Sequence, residues 1–233
     1  SMPRTMGAIY WQLNDCWPVA SWSSIDYFGR WKALHYAAKR FYAPALISGV
    51  ADGKAGTAEV HVTCDLVKPP AGATFTWRLM TVAGELLIES AERVKLPANA
   101  SACVAKIDVA DPIAEYGADN LLLSVELMVG GEIVSDNLLL FARPKRMNLP
   151  DPKLAVKVKA LAGGDFEITL KSKAPALWTW LEMSGKGADV FFDDNFVHVL
   201  PGDTWTIRAI PGAPMTIEQF RKKLKVKSLV DTY

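Results

Sequence analysis

Glu59-Val60-His61-Val62-Thr63-Cys64 alternates polar and apolar side chains, the period of a strand with one buried face. Outward from it, the same grammar of short apolar-rich runs between turn residues extends in both directions. Strands are predicted at Ala45–Val50, Ala58–Asp65, Thr74–Val82, Glu85–Val94, Ala102–Val109, Leu121–Val129 and Glu132–Ala142. The punctuation is Asp52-Gly53, Lys68-Pro69-Pro70, Ala83-Gly84, Pro97-Ala98-Asn99 and Gly130-Gly131, all turn-forming combinations. About seven strands in about 100 residues is the spacing of an immunoglobulin-like β-sandwich. Asp111 to Tyr116 fits a short helical turn within it.

Pro144-Lys145-Arg146-Met147-Asn148-Leu149-Pro150-Asp151-Pro152 is extended and proline-punctuated, which marks a domain boundary. Beyond it strands are predicted at Leu154–Ala160, Asp165–Lys173, Ala176–Glu182, Ala188–Asp193, Phe196–Leu200, Thr204–Ile210 and Leu224–Leu229. This is a second, smaller sandwich, with Met215 to Lys223 either a short helix or a basic edge. The expected division is 1–43, 44–147 and 148–233.

The segment ahead of both sandwiches differs in kind. Ala8 to Leu13 reads as a buried strand, and a polar, tryptophan-rich loop runs from Asp15 to Phe28. Trp31, Leu34, Ala38 and Phe41 then fall near one face of a helix predicted over Arg30–Phe41, which Pro44 stops. Strand, loop and helix make a βα unit, which belongs to a parallel sheet or barrel. One such unit cannot cover its own apolar faces. Gly7 to Tyr42 is therefore expected to be poorly ordered or docked on a sandwich or a neighbouring chain.

Composition excludes several function classes. The 233 residues are 50% hydrophobic and 22% charged, with a net charge of +1, so neither nucleic acid nor an anionic membrane is an expected partner. No run approaches the roughly 18 apolar residues of a membrane span. Cys16, Cys64 and Cys103 are expected to be free and mostly buried thiols, a Cys64–Cys103 bridge being the alternative. His35, His61 and His198 are scattered, so no metal site is expected. Asp193-Asp194-Asn195 reads as a tight turn rather than a calcium loop. No phosphate-binding glycine loop or nucleophile motif is present, and no cofactor is implied.

Trp17 and Trp22 share their loop with Asn14, Asp15, Ser21, Ser23, Ser24 and Asp26. Tryptophan beside hydroxyl and carboxylate groups suits a sugar, which offers C–H faces to stack on and hydroxyls to bond. Packing in a core is the alternative for the aromatic residues. Trp178, Trp180 and Trp205 alternate on predicted strands and read as core.

Tyr10-Trp11-Gln12-Leu13-Asn14-Asp15-Cys16-Trp17-Pro18, with Ala20-Ser21-Trp22-Ser23-Ser24-Ile25-Asp26-Tyr27 and Gly29-Arg30-Trp31-Lys32-Ala33-Leu34-His35-Tyr36, closely resembles β-mannosidases of glycoside hydrolase family 2. Phe192-Asp193-Asp194-Asn195-Phe196 and Leu200-Pro201-Gly202-Asp203 are similar to that family's C-terminal sandwich. The resemblance implies that residues 1–43 are the last strand, loop and helix of a catalytic (β/α)8 barrel. It implies a retaining exo-β-mannosidase acting on terminal non-reducing β-mannose, its substrates β-mannosides or manno-oligosaccharides. Both catalytic glutamates would come from earlier barrel strands, upstream of residue 1. Retention needs two carboxylates about 5 Å apart, so this piece is expected to be inactive alone.

In the intact enzyme Trp11 would line the subsite of the cleaved mannose, and Trp17 would wall the pocket or its leaving-group side. Asn14 and Asp15 would either bond sugar hydroxyls or fix the loop as turn residues. The sandwiches would brace the catalytic barrel of the same polypeptide. Two rival readings remain, a carbohydrate-binding module with a tryptophan platform and a partner-binding structural domain.

Overall fold

A computed structural model describes residues 7–185 and 189–233. They divide into two compact units. One joins the residues up to Tyr10 with Ala38–Asn148, and the other joins Trp11–Ala37 with Leu149–Tyr233. The fold is mainly β, and each unit is built around an immunoglobulin-like sandwich of a three-stranded and a four-stranded sheet.

In the first sandwich the strands are β1 (Ala45–Asp52), β2 (Thr57–Cys64), β3 (Ala73–Thr81), β4 (Leu86–Val94), β5 (Ala100–Asp108), β6 (Leu121–Val129) and β7 (Glu132–Leu140). One sheet has the order β1-β2-β5 and the other β4-β3-β6-β7, all neighbours antiparallel. Val60 and Val62 of β2 meet Phe75 and Leu79 of β3 and Leu123, Val125 and Leu127 of β6 in one core. Each such burial is worth roughly 1.5–3 kcal/mol, and the alternation that buries them is the alternation in the sequence. The short helix expected between strands runs over Ala110–Tyr116.

The second sandwich holds β8 (Ala155–Ala160), β9 (Phe166–Lys171), β10 (Ala176–Met183), β11 (Val190–Phe192), β12 (Val197–Val199), β13 (Trp205–Pro211) and β14 (Leu224–Lys227). Its sheets are β11-β13-β9-β8 and β12-β10-β14. The first two strands lie in the four-stranded sheet here and in the three-stranded sheet of the first sandwich. The basic segment near the end is a helix over Ile217–Lys223. Thr216 Oγ1 accepts from Gln219 N and Gln219 Oε1 accepts from Thr216 N, a reciprocal cap. Arg221, Lys222 and Lys223 sit in its last turn, where the helix dipole favours cations. Phe220 is driven into the core against Phe166, with ring centroids 4.3 Å apart.

Three expectations fail, each for a physical reason. The strand expected over Ala8–Leu13 does not form, and Asn14 makes only a single parallel bridge to Ile25. A parallel strand takes its conformation from neighbours on both sides, and among the described residues no such ladder flanks this one. The helix expected from Arg30 is α1, Ala33–Phe41. Its intended first turn is diverted because Trp31 bridges Ile25 and the Lys32 amide donates to Ser24 O at 2.9 Å. The cysteines are free, but only Cys64 is buried, while Cys16 and Cys103 are exposed. Cys64 faces the core and Cys103 lies on the solvent side of the same sheet. Of the strand expected at Ala188–Asp193, Ala188 lies outside the described residues.

Candidate functional site

With no strand to order it, the loop from Trp11 to Lys32 is held by other means. Gln12 and Leu13 carbonyls accept from Ser24 N at 3.0 and 3.1 Å, Leu13 O accepts from Ile25 N at 2.8 Å, and Asp15 N donates to Ile25 O at 3.1 Å. These bonds fold the two ends of the loop together. A second turn closes on Asp26, whose Oδ1 accepts from Phe28 N and Arg30 N, each at 2.9 Å.

Beneath the fold-back lies Asp15, a charged residue only 5% exposed. Ser21 Oγ donates to one carboxylate oxygen. Ser23 Oγ at 2.7 Å and Lys32 Nζ at 3.1 Å donate to the other. The Ser21 and Ser23 hydroxyls, with the Lys32 ammonium behind them, hold the Asp15 carboxyl below the usual carboxylate range. Lys32 Nζ also reaches Ser23 Oγ at 2.7 Å, so each group is oriented by the others.

The loop and the start of α1 rest on the C-terminal sandwich. Trp31 packs edge-on against Phe191 at 5.1 Å and against Tyr36 at 5.2 Å. The buried Tyr36 donates its hydroxyl to Phe192 O at 3.1 Å and lies 6.0 Å from the Phe196 ring. Ser24 Oγ and His35 Nδ1 are 3.0 Å apart, with His35 against Trp31. The apolar side of the βα segment is thus docked on β11 and the turn after it. That turn is itself pinned by Asn195, whose side chain bonds both the amide and the carbonyl of Leu181 at 2.8 and 2.9 Å.

The other side of the loop faces solvent. Trp11 is 73% exposed and Trp17 64%, and Trp22 and Phe28 are exposed with them. The Trp11–Gln12 peptide is cis. Asn14 is exposed, its side-chain amide donating to Asp15 O at 3.2 Å. Of the four residues nominated from sequence, Trp11, Asn14 and Trp17 therefore lie at the surface. Asp15 lies under them with both oxygens engaged. Ser21, Ser23 and Lys32 were not nominated as Asp15's partners. A serine-rich loop around a lone aspartate followed by a lysine is the signal that points to such a knot.

The other tryptophans are half-buried. Trp180 stacks on Phe196 at 6.3 Å with Lys227 over its ring, Trp178 lies against His198, and Trp205 packs on the core of the second sandwich. Sequence reasoning also missed a group on the first sandwich, where Glu59, His61 and Cys103 come together. The i, i+2 spacing of Glu59 and His61 was visible, but their cross-strand neighbour was not.

Two family matches cover most of the chain. The Mannosidase Ig/CBM-like domain family matches residues 56–146, and the mannosidase Ig-fold domain family matches residues 149–232. A β-mannosidase A from Aspergillus terreus is 28% identical over an alignment that takes in 98% of this chain. The chain matches the C-terminal region of the β-mannosidases. A Capra hircus β-mannosidase is 29% identical over 99% of the chain. The chain spans 25% and 26% of the length of these two relatives. Among solved structures, a β-D-mannosidase from Dictyoglomus thermophilum superposes with a TM-score of 0.74 at 24% identity, over 94% of this chain and 26% of that one. The exo-chitosanase CsxA of Amycolatopsis orientalis gives 0.66 at 18%, over 94% and 29%. These two likenesses are of fold.

Proposed function

We propose that this chain is the structural and rim-forming part of a retaining exo-β-mannosidase that removes terminal non-reducing β-D-mannose. The carrying observation is the loop in which Asp15, Ser21, Ser23 and Lys32 form a fixed polar base while Trp11 and Trp17 stay exposed above it. In this reading Trp11 stacks on the cleaved mannose, Trp17 walls the leaving-group side and Asn14 supplies an amide to sugar hydroxyls. Asp15 holds the loop rather than the sugar, since its oxygens already accept from three donors. The sandwiches brace the catalytic barrel of the same polypeptide, which supplies the acid/base and the nucleophile. The 233 residues alone do not hydrolyse β-mannosides.

The test compares the isolated chain with a longer polypeptide that carries it. An aryl β-mannoside should be turned over only by the longer form, and Trp11→Ala in that form should lower kcat/KM. Mannose release by the 233 residues alone would sink the reading. A second reading, a carbohydrate-binding module, draws on the family description of residues 56–146. It ranks lower because Trp77, the tryptophan of that segment, packs half-buried against the core of the first sandwich, and Trp178, Trp180 and Trp205 of the second sandwich are half-buried too. Titration of the isolated chain with manno-oligosaccharides separates the two readings.

A further inference from the structure

The outer face of β2 and β5 carries a feature that neither the sandwich nor the loop uses. Ala58, Val60, Val62 and Cys64 of β2 are fully buried, so Glu59, His61 and Thr63 point away from the core. Across the ladder Thr63 faces Ser101, His61 faces Cys103 and Glu59 faces Lys106. Cys103 and Lys106 are three residues apart, which in a regular strand puts them on opposite faces. They share a face because the pairing slips between Val60 and His61, leaving Val104 as an extra, unpaired residue. Val104 turns partly onto the core with Ala105.

The bulge therefore assembles three different donor types. Lys106 Nζ holds Glu59 Oε1 at 2.7 Å, leaving Glu59 Oε2 at 3.3 Å from His61 Nε2. One ligand atom each from Glu59, His61 and Cys103 lies within 4.8 Å of the others. The Cys103 thiol donates to Ala105 O at 3.5 Å.

We propose that Glu59, His61 and Cys103 form a binding site for a zinc-like divalent transition-metal ion. A thiolate, an imidazole nitrogen and a carboxylate oxygen are the ligand types zinc takes, at about 2.0–2.3 Å, with a fourth tetrahedral position left to water. Closing three donors to that spacing requires only side-chain rotation on an open strand face. One carboxylate is too few for magnesium or calcium, which take all-oxygen shells, whereas thiolate and imidazole favour the later first-row ions. Lys106 plays the outer-shell part, fixing the Glu59 oxygen that does not bind. On binding, the Cys103 S–H bond breaks, its proton passes to solvent, and the sulfur pair bonds the ion. The thiolate and carboxylate together balance the dication.

The test uses the full chain carrying Cys16→Ser, which removes the other exposed thiol. Cobalt(II) should give tetrahedral visible bands with a near-ultraviolet thiolate-to-cobalt band, and one equivalent of zinc(II) should abolish them. Zinc(II) should also slow modification of Cys103 by a disulfide reagent. Cys103→Ser should lose the charge-transfer band, and His61→Gln should lose both the tetrahedral spectrum and the protection. All three side chains are on the surface of the sheet, so far-ultraviolet circular dichroism should stay native throughout. Absence of the band in the parent protein, its persistence in Cys103→Ser, or equal protection in His61→Gln would each overturn the proposal.

Discussion

Replacing Tyr36 tests what holds the aromatic loop in place. Tyr36→Phe deletes the buried hydroxyl and with it the hydrogen bond to Phe192 O, a bond worth about 0.5–1.5 kcal/mol. Tyr36→Ala also removes a ring packed between Trp31 and Phe196, a loss of about 3–5 kcal/mol. The assay is native-state hydrogen exchange at the Ile25 and Lys32 amides, whose acceptors are Leu13 O and Ser24 O. Protection should fall about two- to twelvefold in Tyr36→Phe and by about two to four powers of ten in Tyr36→Ala. Titration adds an independent check. Burial first, then the Asp194 carboxylate with a smaller push from Asp193, raise the Tyr36 phenol to about 12, against an opposing bond from Asn195. The unfolded phenol ionises near 10, so this contribution is complete below pH 10 and is lost as pH climbs through 12. Tyr36→Phe should flatten that alkaline fall. Unchanged protection at Ile25 and Lys32 in Tyr36→Ala would refute the claim that docking orders the loop.

Other outcomes follow from close contacts elsewhere. A methyl group at Gly53 would lie 2.1 Å from the Phe141 carbonyl oxygen, so Gly53→Ala should lower stability by about 1–3 kcal/mol, read by thermal melting. Asn195→Ala orphans both the amide and the carbonyl of the buried Leu181. At about 1–3 kcal/mol for each unsatisfied group, urea unfolding of the second sandwich should shift by about 2–6 kcal/mol. Asp15→Asn weakens the Lys32 interaction and leaves one acceptor where a carboxylate offered two, so proteolysis within residues 15–30 should accelerate. The depressed Asp15 pKa makes its contribution present above the ordinary carboxylate range and lost as pH falls through the folded value. Acid should therefore loosen this loop in the wild-type protein and change little in Asp15→Asn.

Sandwich strands were legible because each carries its own pattern. β6 was placed at Leu121–Val129 to the residue, and most others to within one or two, the ordinary uncertainty of strand ends. Ala8–Leu13 failed for the complementary reason. Its apolar run describes what a neighbour would bury, and a run of residues does not state whether that neighbour is present. Trp31 shows a subtler loss. Helical spacing put it on the apolar face of the helix, but it lies before α1, where a bridge to Ile25 won over the first turn. Aromatic content marks the loop around Trp11 and Trp17, but the sequence leaves Asp15 two roles, because only the fold brings Ser21, Ser23 and Lys32 onto its oxygens. The group on the outer face of β2 was invisible for a geometric reason. A bulge at Val104 changes which β5 residues share a face, and alternation counted along one strand cannot see a slip in its pairing.

The Asp15 knot also bears on the order in which the protein assembles. Its bonds span at most 17 residues, from Asp15 to Lys32, whereas Tyr36 finds its acceptor 156 residues further along the chain. Short loops close in well under a millisecond, but synthesis at about 5–20 residues per second takes about 8–30 s to supply that acceptor. Through that interval Trp31 and Tyr36 lack Phe191 and Phe196, the rings they pack on. The knot lets the loop acquire its shape during the wait, so that docking, when the second sandwich emerges, joins two finished surfaces.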